Sequence, residues 1–292
     1  MHPEDFSGGS LLVVAFEGWN DAGEAASNAA RAIRDQLELQ PILELEPEDY
    51  FDYQFNRPTV SNDENGDRVL EWPGVTLYGP GPASVPTGSG LGVHVLLGTE
   101  PSRGWKTFAA EVIDALETAD VSAIVFLGAM LADVPHTRPI SVFASSENAA
   151  VRDRFELERS TYEGPVGILS VLSDAAERAG IPTLSIWASV PHYVHNAPSP
   201  KATLALLERL EEFVDLEVDR GSLPEDSAAW ESGIDALADD DEDMRAYISQ
   251  LEQARDTVDS PEASGEAIAE EFERYLRRRD GRDGKAGGRP GV

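Results

Sequence analysis

The 292-residue sequence predicts an α/β protein of three layers, α/β/α with a mostly parallel sheet, followed by a small C-terminal helical appendage. Three observations point there. Short apolar runs without period-two alternation recur between Leu11 and Val190, the pattern of strands buried on both faces. Stretches with apolar residues at helical spacing separate them. Glycine- and proline-rich segments punctuate both, so strand and helix alternate from about residue 10 to 215.

Leu11–Phe16 is the first such strand. Asp21 then stands as an N-cap with Glu24 three residues on, a capping-box pattern, and Ala22, Ala25, Ala26, Ala29, Ala30, Ile33 and Leu37 form a small-residue helical face. Pro41–Leu45 returns as a strand, completing a β-α-β unit. S-N-D-E-N-G-D (61–67) is a turn between Val60 and Arg68–Trp72, which predicts a hairpin. Val75–Tyr78 adds a strand, Gly79–Gly92 must be a loop, and Val93–Leu97 resumes the sheet. Trp105–Leu116 is an amphipathic helix, and Val121–Leu127, Ile140–Ala144 and Val166–Leu169 read as strands. A helix over Ser173–Ala179 stops at Gly180, Thr183–Val190 is the last core strand, and a helix from Pro200 or Lys201 runs to Val214. The core domain is therefore expected over 1–220. A helical subdomain is expected over 221–280, with helices at Pro224–Ala238, Asp243–Val258 and Gly265–Arg278, and a disordered tail over 281–292.

Composition narrows the function classes. Lys+Arg 23 against Asp+Glu 54 gives a net charge of −31, which repels nucleic acid and anionic membranes. The acids are spread along the chain, as in a salt-adapted or generally solubilised surface, apart from the solvated run Asp239–Asp243; an acidic docking face is the other reading. No run approaches the ~18–20 apolar residues of a membrane span, and the start M-H-P-E-D is acidic where a secretory signal is basic, so a cytoplasmic location is expected. With no cysteine there is neither a disulfide nor a thiolate nucleophile or metal ligand.

The chemistry-bearing stretches lie at predicted strand ends. G-W-N-D-A-G (18–23) joins the first strand to its helix, where free amides and the helix dipole favour a polar ligand. It lacks the spacing of a dinucleotide fingerprint or a P-loop and any cation to hold phosphate. The competing reading is structural: Gly18 allows a tight turn, Trp19 plugs the core and Asp21 caps the helix. D-V-P-H-T-R-P (133–139) brings His136, Thr137 and Arg138 into another strand-end loop, able to bind phosphate or carboxylate, or else to form a rigid loop pinned by Pro135 and Pro139. His192 and His195 could meet Asp133 or His136 at a metal only on a helix, which Pro191 opposes. G-P-V-G (164–167) near Ser170 is not a nucleophile elbow. No metal or cofactor is expected.

Six stretches occur in fixed order: A-F-E-G-W-N-D-A-G (15–23), Y-Q-F-N-R-P (53–58), E-P-S-R-G-W (100–105), H-T-R-P (136–139), Y-E-G-P-V-G-I-L (162–169) and W-A-S-V-P-H-Y-V (187–194). Together they resemble the proteasome assembly chaperone 2 family, in particular its long actinobacterial branch. The resemblance implies a core like that of purine nucleoside phosphorylases, homo-oligomers with a trimer favoured, and proteasome components as protein partners. Archaeal relatives dock through a C-terminal hydrophobic-tyrosine-any-residue tail. This chain ends Pro290-Gly291-Val292 with Tyr275 17 residues earlier, so that mode is not expected here. The family brings no catalytic residues. A non-enzymatic protein-binding or assembly factor is therefore expected. The alternative is a phosphorylase-like enzyme or small-molecule binder with a strand-end pocket built from Asn20, Asp21, Arg57, His136 and Arg138.

Overall fold

The computed structural model describes residues 9–45, 47–63 and 65–258. The chain starts in β1 (Ser10–Glu17) and passes through a short 3-10 turn (Ala22–Glu24) into α1 (Ala25–Gln36). There follow β2 (Gln40–Leu45), the single-turn α2 (Pro47–Tyr50), β3 (Thr59–Asn62), β4 (Arg68–Glu71), β5 (Val75–Gly79) and β6 (Gly92–Thr99). Next come α3 (Trp105–Thr118), β7 (Val121–Ala132), β8 (Val142–Ser145), α4 (Ala149–Phe155) and α5 (Ile168–Arg178). β9 (Thr183–Pro191), α6 (Pro200–Glu211), α7 (Leu223–Asp239) and α8 (Glu242–Val258) complete the described chain. One compact unit runs to Ala236, and a second begins at Leu237. The expected helix at Gly265–Arg278 and the tail over 281–292 lie outside the described residues.

Seven strands form one sheet in the order β2-β5-β6-β1-β7-β9-β8, while β3 and β4 make a separate hairpin. β1 pairs in parallel with β6 and β7, and β7 in parallel with β9, so these four strands point their carboxyl ends to one rim. β5 and β8 run against their neighbours. β2, antiparallel to β5, shares the sense of β1 but sits at the sheet edge with two strands between them. The β-α-β reading holds in direction, with β5 and β6 inserted between its strands.

Both faces of the sheet are covered, which is why β1 carries no polar alternation. Leu11, Val13 and Ala15 meet the alanine face of α1 and Leu206, Leu207 and Leu210 of α6. Leu12, Val14 and Phe16 meet Phe108 and Val112 of α3 and Leu169 and Leu172 of α5. Phe16 and Phe108 pack edge to face at 6.0 Å, and burying each ring contributes about 1.5–3 kcal/mol. Ala25, Ala26, Ala29 and Ala30 are fully buried because only small side chains let α1 approach so near the sheet.

Three local expectations change, and one helix, α4, had no sequence signal. Val166–Leu169 is not a strand: Gly167 ends a loop and Ile168 opens α5, since buried Ile168, Leu169, Leu172 and Ala176 recur at helical spacing and a four-residue apolar run cannot distinguish the two. α4 carries a single buried residue, Val151, too little for a periodic signal, although Asn148 Oδ1 accepts from the amides of Ala150 at 3.1 Å and Val151 at 3.2 Å. The capping box does not form, because the intervening turn holds Gly23 and Glu24 in left-handed conformation and delays α1 to Ala25. Trp19, the expected core plug, is 78% exposed. Among the described residues no helix is long and apolar enough to cross a membrane.

Gly128 of β7 lies under the Trp187 ring of β9; an added Cβ would come within 2.6 Å of the ring. Gly128→Ala should destabilise the protein by about 1–3 kcal/mol, read as a lower urea midpoint; an unchanged midpoint would show that the indole moves freely. His94 of β6 is buried, its Nδ1 finds no hydrogen-bond partner among the described residues, and burial pushes the imidazole below its ordinary value of 6.5. Below about pH 6.5 the unfolded chain gains a proton that the folded chain resists, so this contribution to stability is full above that pH and declines as the pH falls further. The loss of melting temperature from pH 7.5 to 5.5 should be smaller in His94→Gln than in wild type; equal losses would refute the assignment.

Candidate functional site

The shared carboxyl rim brings together the loops that leave β1, β6, β7 and β9. After β1 the backbone turns at Gly18 with φ +110°, a conformation that side chains disfavour. The turn points Trp19 outward and Asn20 inward, where Asn20 is buried. The carbonyl of Asn20 accepts from the amide of Ala129 in β7 at 2.8 Å, and its Nδ2 donates to Glu100 Oε1 at 3.1 Å. The same Glu100 oxygen accepts from the amide of Ile168 at 2.8 Å, so a carboxylate from the β6 exit caps the N-terminus of α5. Gly167 makes this closure possible: a Cβ there would come within 2.5 Å of Asn20 Nδ2 and 2.9 Å of Glu100 Oε1.

Asp21 turns the other way. Its Oδ1 accepts from the amides of Ala26 at 2.8 Å and Ser27 at 3.1 Å, holding the start of α1 from beyond the 3-10 turn. Burial raises the Asp21 carboxyl above its ordinary value, and the hydrogen bonds from Ser27 and Ala26 offset only part of that. Beside it, Arg31 pairs with Glu17 and reaches Ser27 Oγ at 2.9 Å, so this cation already has a carboxylate partner.

His136 is wholly buried after β7. Its backbone amide donates to the Tyr193 hydroxyl at 2.7 Å, and the same hydroxyl lies 2.8 Å from Nδ1. Nε2 lies 3.0 Å from Asp235 Oδ1. One consistent assignment has Tyr193 donating to Nδ1 and Nε2–H donating to Asp235. Trp230 stands edge-on at 6.3 Å, and Lys201 Nζ donates to the His136 carbonyl at 2.6 Å while pairing with Glu231. Arg138, two residues on, is half-buried with a 3.4 Å contact to Thr137 Oγ1.

The five candidates from the sequence thus occupy three stations. Asn20 and Asp21 sit at the central strand. His136 and Arg138 follow β7. Arg57 is exposed in the segment before β3, whose neighbour Asn56 bonds Ser102 in the β6–α3 loop. None of the five lines the open cleft of about 530 Å³, which lies beside Asn28, Pro198, Thr203, Arg220 and Asp226. Glu100 and Gly167 fall inside stretches singled out from the sequence, yet nothing in their spacing, 67 residues apart, signalled contact. Trp230 and Asp235 lie near residue 136 only in space. Among the described residues no group of three or more His, Asp or Glu side chains is set to hold a metal ion.

The arrangement defines a three-layer α/β protein whose strand-end loops are tied to one another by buried polar contacts, with an exposed tryptophan at the middle of the rim. The PAC2 family model matches residues 15–238, and the chain belongs to the PAC2 family. It is 41% identical to a PAC2 family protein from Streptomyces avermitilis, with a TM-score of 0.73 over 82% of this chain and 99% of that one. It is also 41% identical to a proteasome-assembly chaperone homologue of Mycobacterium tuberculosis, with a TM-score of 0.72 and the same coverage. PbaB of Pyrococcus furiosus, an archaeal proteasome activator, shares the fold at 16% identity and a TM-score of 0.60 over 78% of this chain and 93% of that one. No curated protein matches.

Glu100→Ala would leave the buried amide of Asn20 and the first amide of α5 unpaired, and should destabilise by about 2–4 kcal/mol. Glu100→Gln keeps an oxygen that can accept both bonds and should lose less than about 1.5 kcal/mol. Equal losses in chemical denaturation would mean that charge, not acceptor geometry, holds the rim.

Proposed function

We propose that this chain is a non-enzymatic, cytoplasmic assembly-chaperone-like protein that binds proteasome components and works as a homo-oligomer, with a trimer favoured, and without a cofactor. The observation that carries the reading is its 41% identity over 99% of the Mycobacterium tuberculosis proteasome-assembly chaperone homologue. Two features of the surface support it. Asn20, Asp21 and His136, the polar groups a ligand pocket would use, each hold another part of the fold. Large apolar side chains are instead exposed: Trp19 at the rim, and Phe55, Val60, Leu70 and Trp72 on and beside the β3–β4 hairpin. A two-stranded hairpin standing apart from the main sheet is marginal in water unless its apolar face is covered, which suits a protein-binding role.

Purified proteasome subunits and assembled core particles, each titrated against the protein in biolayer interferometry, should show saturable binding that Trp19→Ala or Trp72→Ala weakens at least fivefold. Light scattering on the same sample should give the mass of three chains. Absence of binding to either form would overturn the assembly role, and a monomeric mass would overturn the trimer alone.

A further inference from the structure

The contact between α7 and the rim is asymmetric. On the core side, His136 is wholly buried and fixed twice by Tyr193, through its backbone amide and through Nδ1. Lys201 is 15% exposed and bound to the carbonyl of that same histidine. These donors keep their positions through contacts that do not involve α7. On the helix side, Asp235 is 62% exposed and Glu231 34%, and the two are four residues apart on one helical face. Apolar support is limited: within 223–236 of α7 the buried residues are Ser227 and Ile234, Leu223 is half-buried against the main core, and Trp230 is half-buried against His136. A helix held by two carboxylates, one aromatic edge and the two apolar side chains Leu223 and Ile234, over a rigid set of donors, resembles a ligand seated in a receptor more than a layer of the core. The chain carries −31, so the overall field opposes a carboxylate here, and the local donors alone favour it.

We propose that His136 and Lys201 form a carboxylate-receiving site which α7 fills in cis, and that an acidic helix presenting Trp-Glu-x-x-x-Asp can take its place. The ligand class is therefore a helical acidic segment with carboxylates four residues apart and an aromatic side chain preceding the first. While α7 is docked, the site is closed to such a segment. Release of α7 opens it, because one set of donors cannot serve two helices. The site is independent of the assembly role, which rests on the exposed apolar surface.

The test uses the full chain carrying Glu231→Gln and Asp235→Asn, with a fluorescein-labelled synthetic peptide of residues 222–240 as probe. Hydrogen exchange should show faster exchange over residues 223–235 in the double variant than in wild type. In fluorescence anisotropy the peptide should bind the double variant at least tenfold more tightly than wild type. A peptide with both carboxylates replaced by amides should lose that binding, as should Lys201→Met added to the receiving chain. Unchanged protection of α7 would show that the carboxylates do not hold it, and so overturn the proposal. Released α7 with no peptide binding, or equal binding of acid and amide peptides, would overturn it equally.

Discussion

One carboxylate oxygen organises the carboxyl rim of the sheet. Glu100 Oε1 accepts at once from the side chain of Asn20 and from the first amide of α5, so the exits of β1 and β6 and the entry to α5 are one bonded unit. The backbone of Asn20 then carries the connection to β7 through Ala129. A helix N-terminus buried among strand ends must have its amides satisfied, and a carboxylate does so with favourable charge. A side chain at residue 167 would displace the Asn20 amide and the Glu100 carboxylate from this arrangement, which ties the glycine to the rim. The same geometry also decides what Trp19 does: with Asn20 directed inward and Gly18 at positive φ, the indole between them faces solvent.

The polar groups of this rim are engaged within the fold. Polar groups buried at strand ends are costly unless paired, and here the pairing partners are other parts of the same fold. Asp21 holds α1 and Asn20 meets Glu100, while His136 lies between Tyr193 and Asp235. Turned outward, among an excess of acidic residues, are the large apolar side chains of Trp19, Phe55, Leu70 and Trp72. Buried polar groups that hold the frame, with Trp19 and the apolar side chains of the β3–β4 hairpin exposed, are the features that support the proposed protein-binding role. The 41%-identical relatives from Streptomyces avermitilis and Mycobacterium tuberculosis match the chain over 82% of its length.

The layered fold was legible because burial on both faces of a sheet leaves a mark on every strand. Leu11–Phe16 and Val121–Leu127 had to be continuous apolar runs, and the alanines of α1 had to be small for the helix to lie against them. Spacing also located the β3–β4 hairpin, through the glycine and asparagine of its turn. It misread Val166–Leu169, where four apolar residues suit a strand or a first helical turn, and it passed over α4, which buries one side chain. The capping box failed for a subtler reason. The right residue types stood at the right spacing, but two left-handed residues pushed the helix start onward, and Asp21 caps at a distance that no local rule contains.

By itself, then, the sequence determined the periodic features: layers, strand-helix alternation, acidity, the lack of cysteine chemistry, and six ordered stretches whose kinship the family match over 15–238 bears out. Only the tertiary structure decided which side chains meet. Glu100 with Ile168, Gly128 under Trp187, and His136 with Asp235 are pairs 68, 59 and 99 residues apart. Their partners are chosen by strand order and by the direction each loop leaves the sheet. Periodicity records whether a residue faces in or out; it holds no record of what waits there.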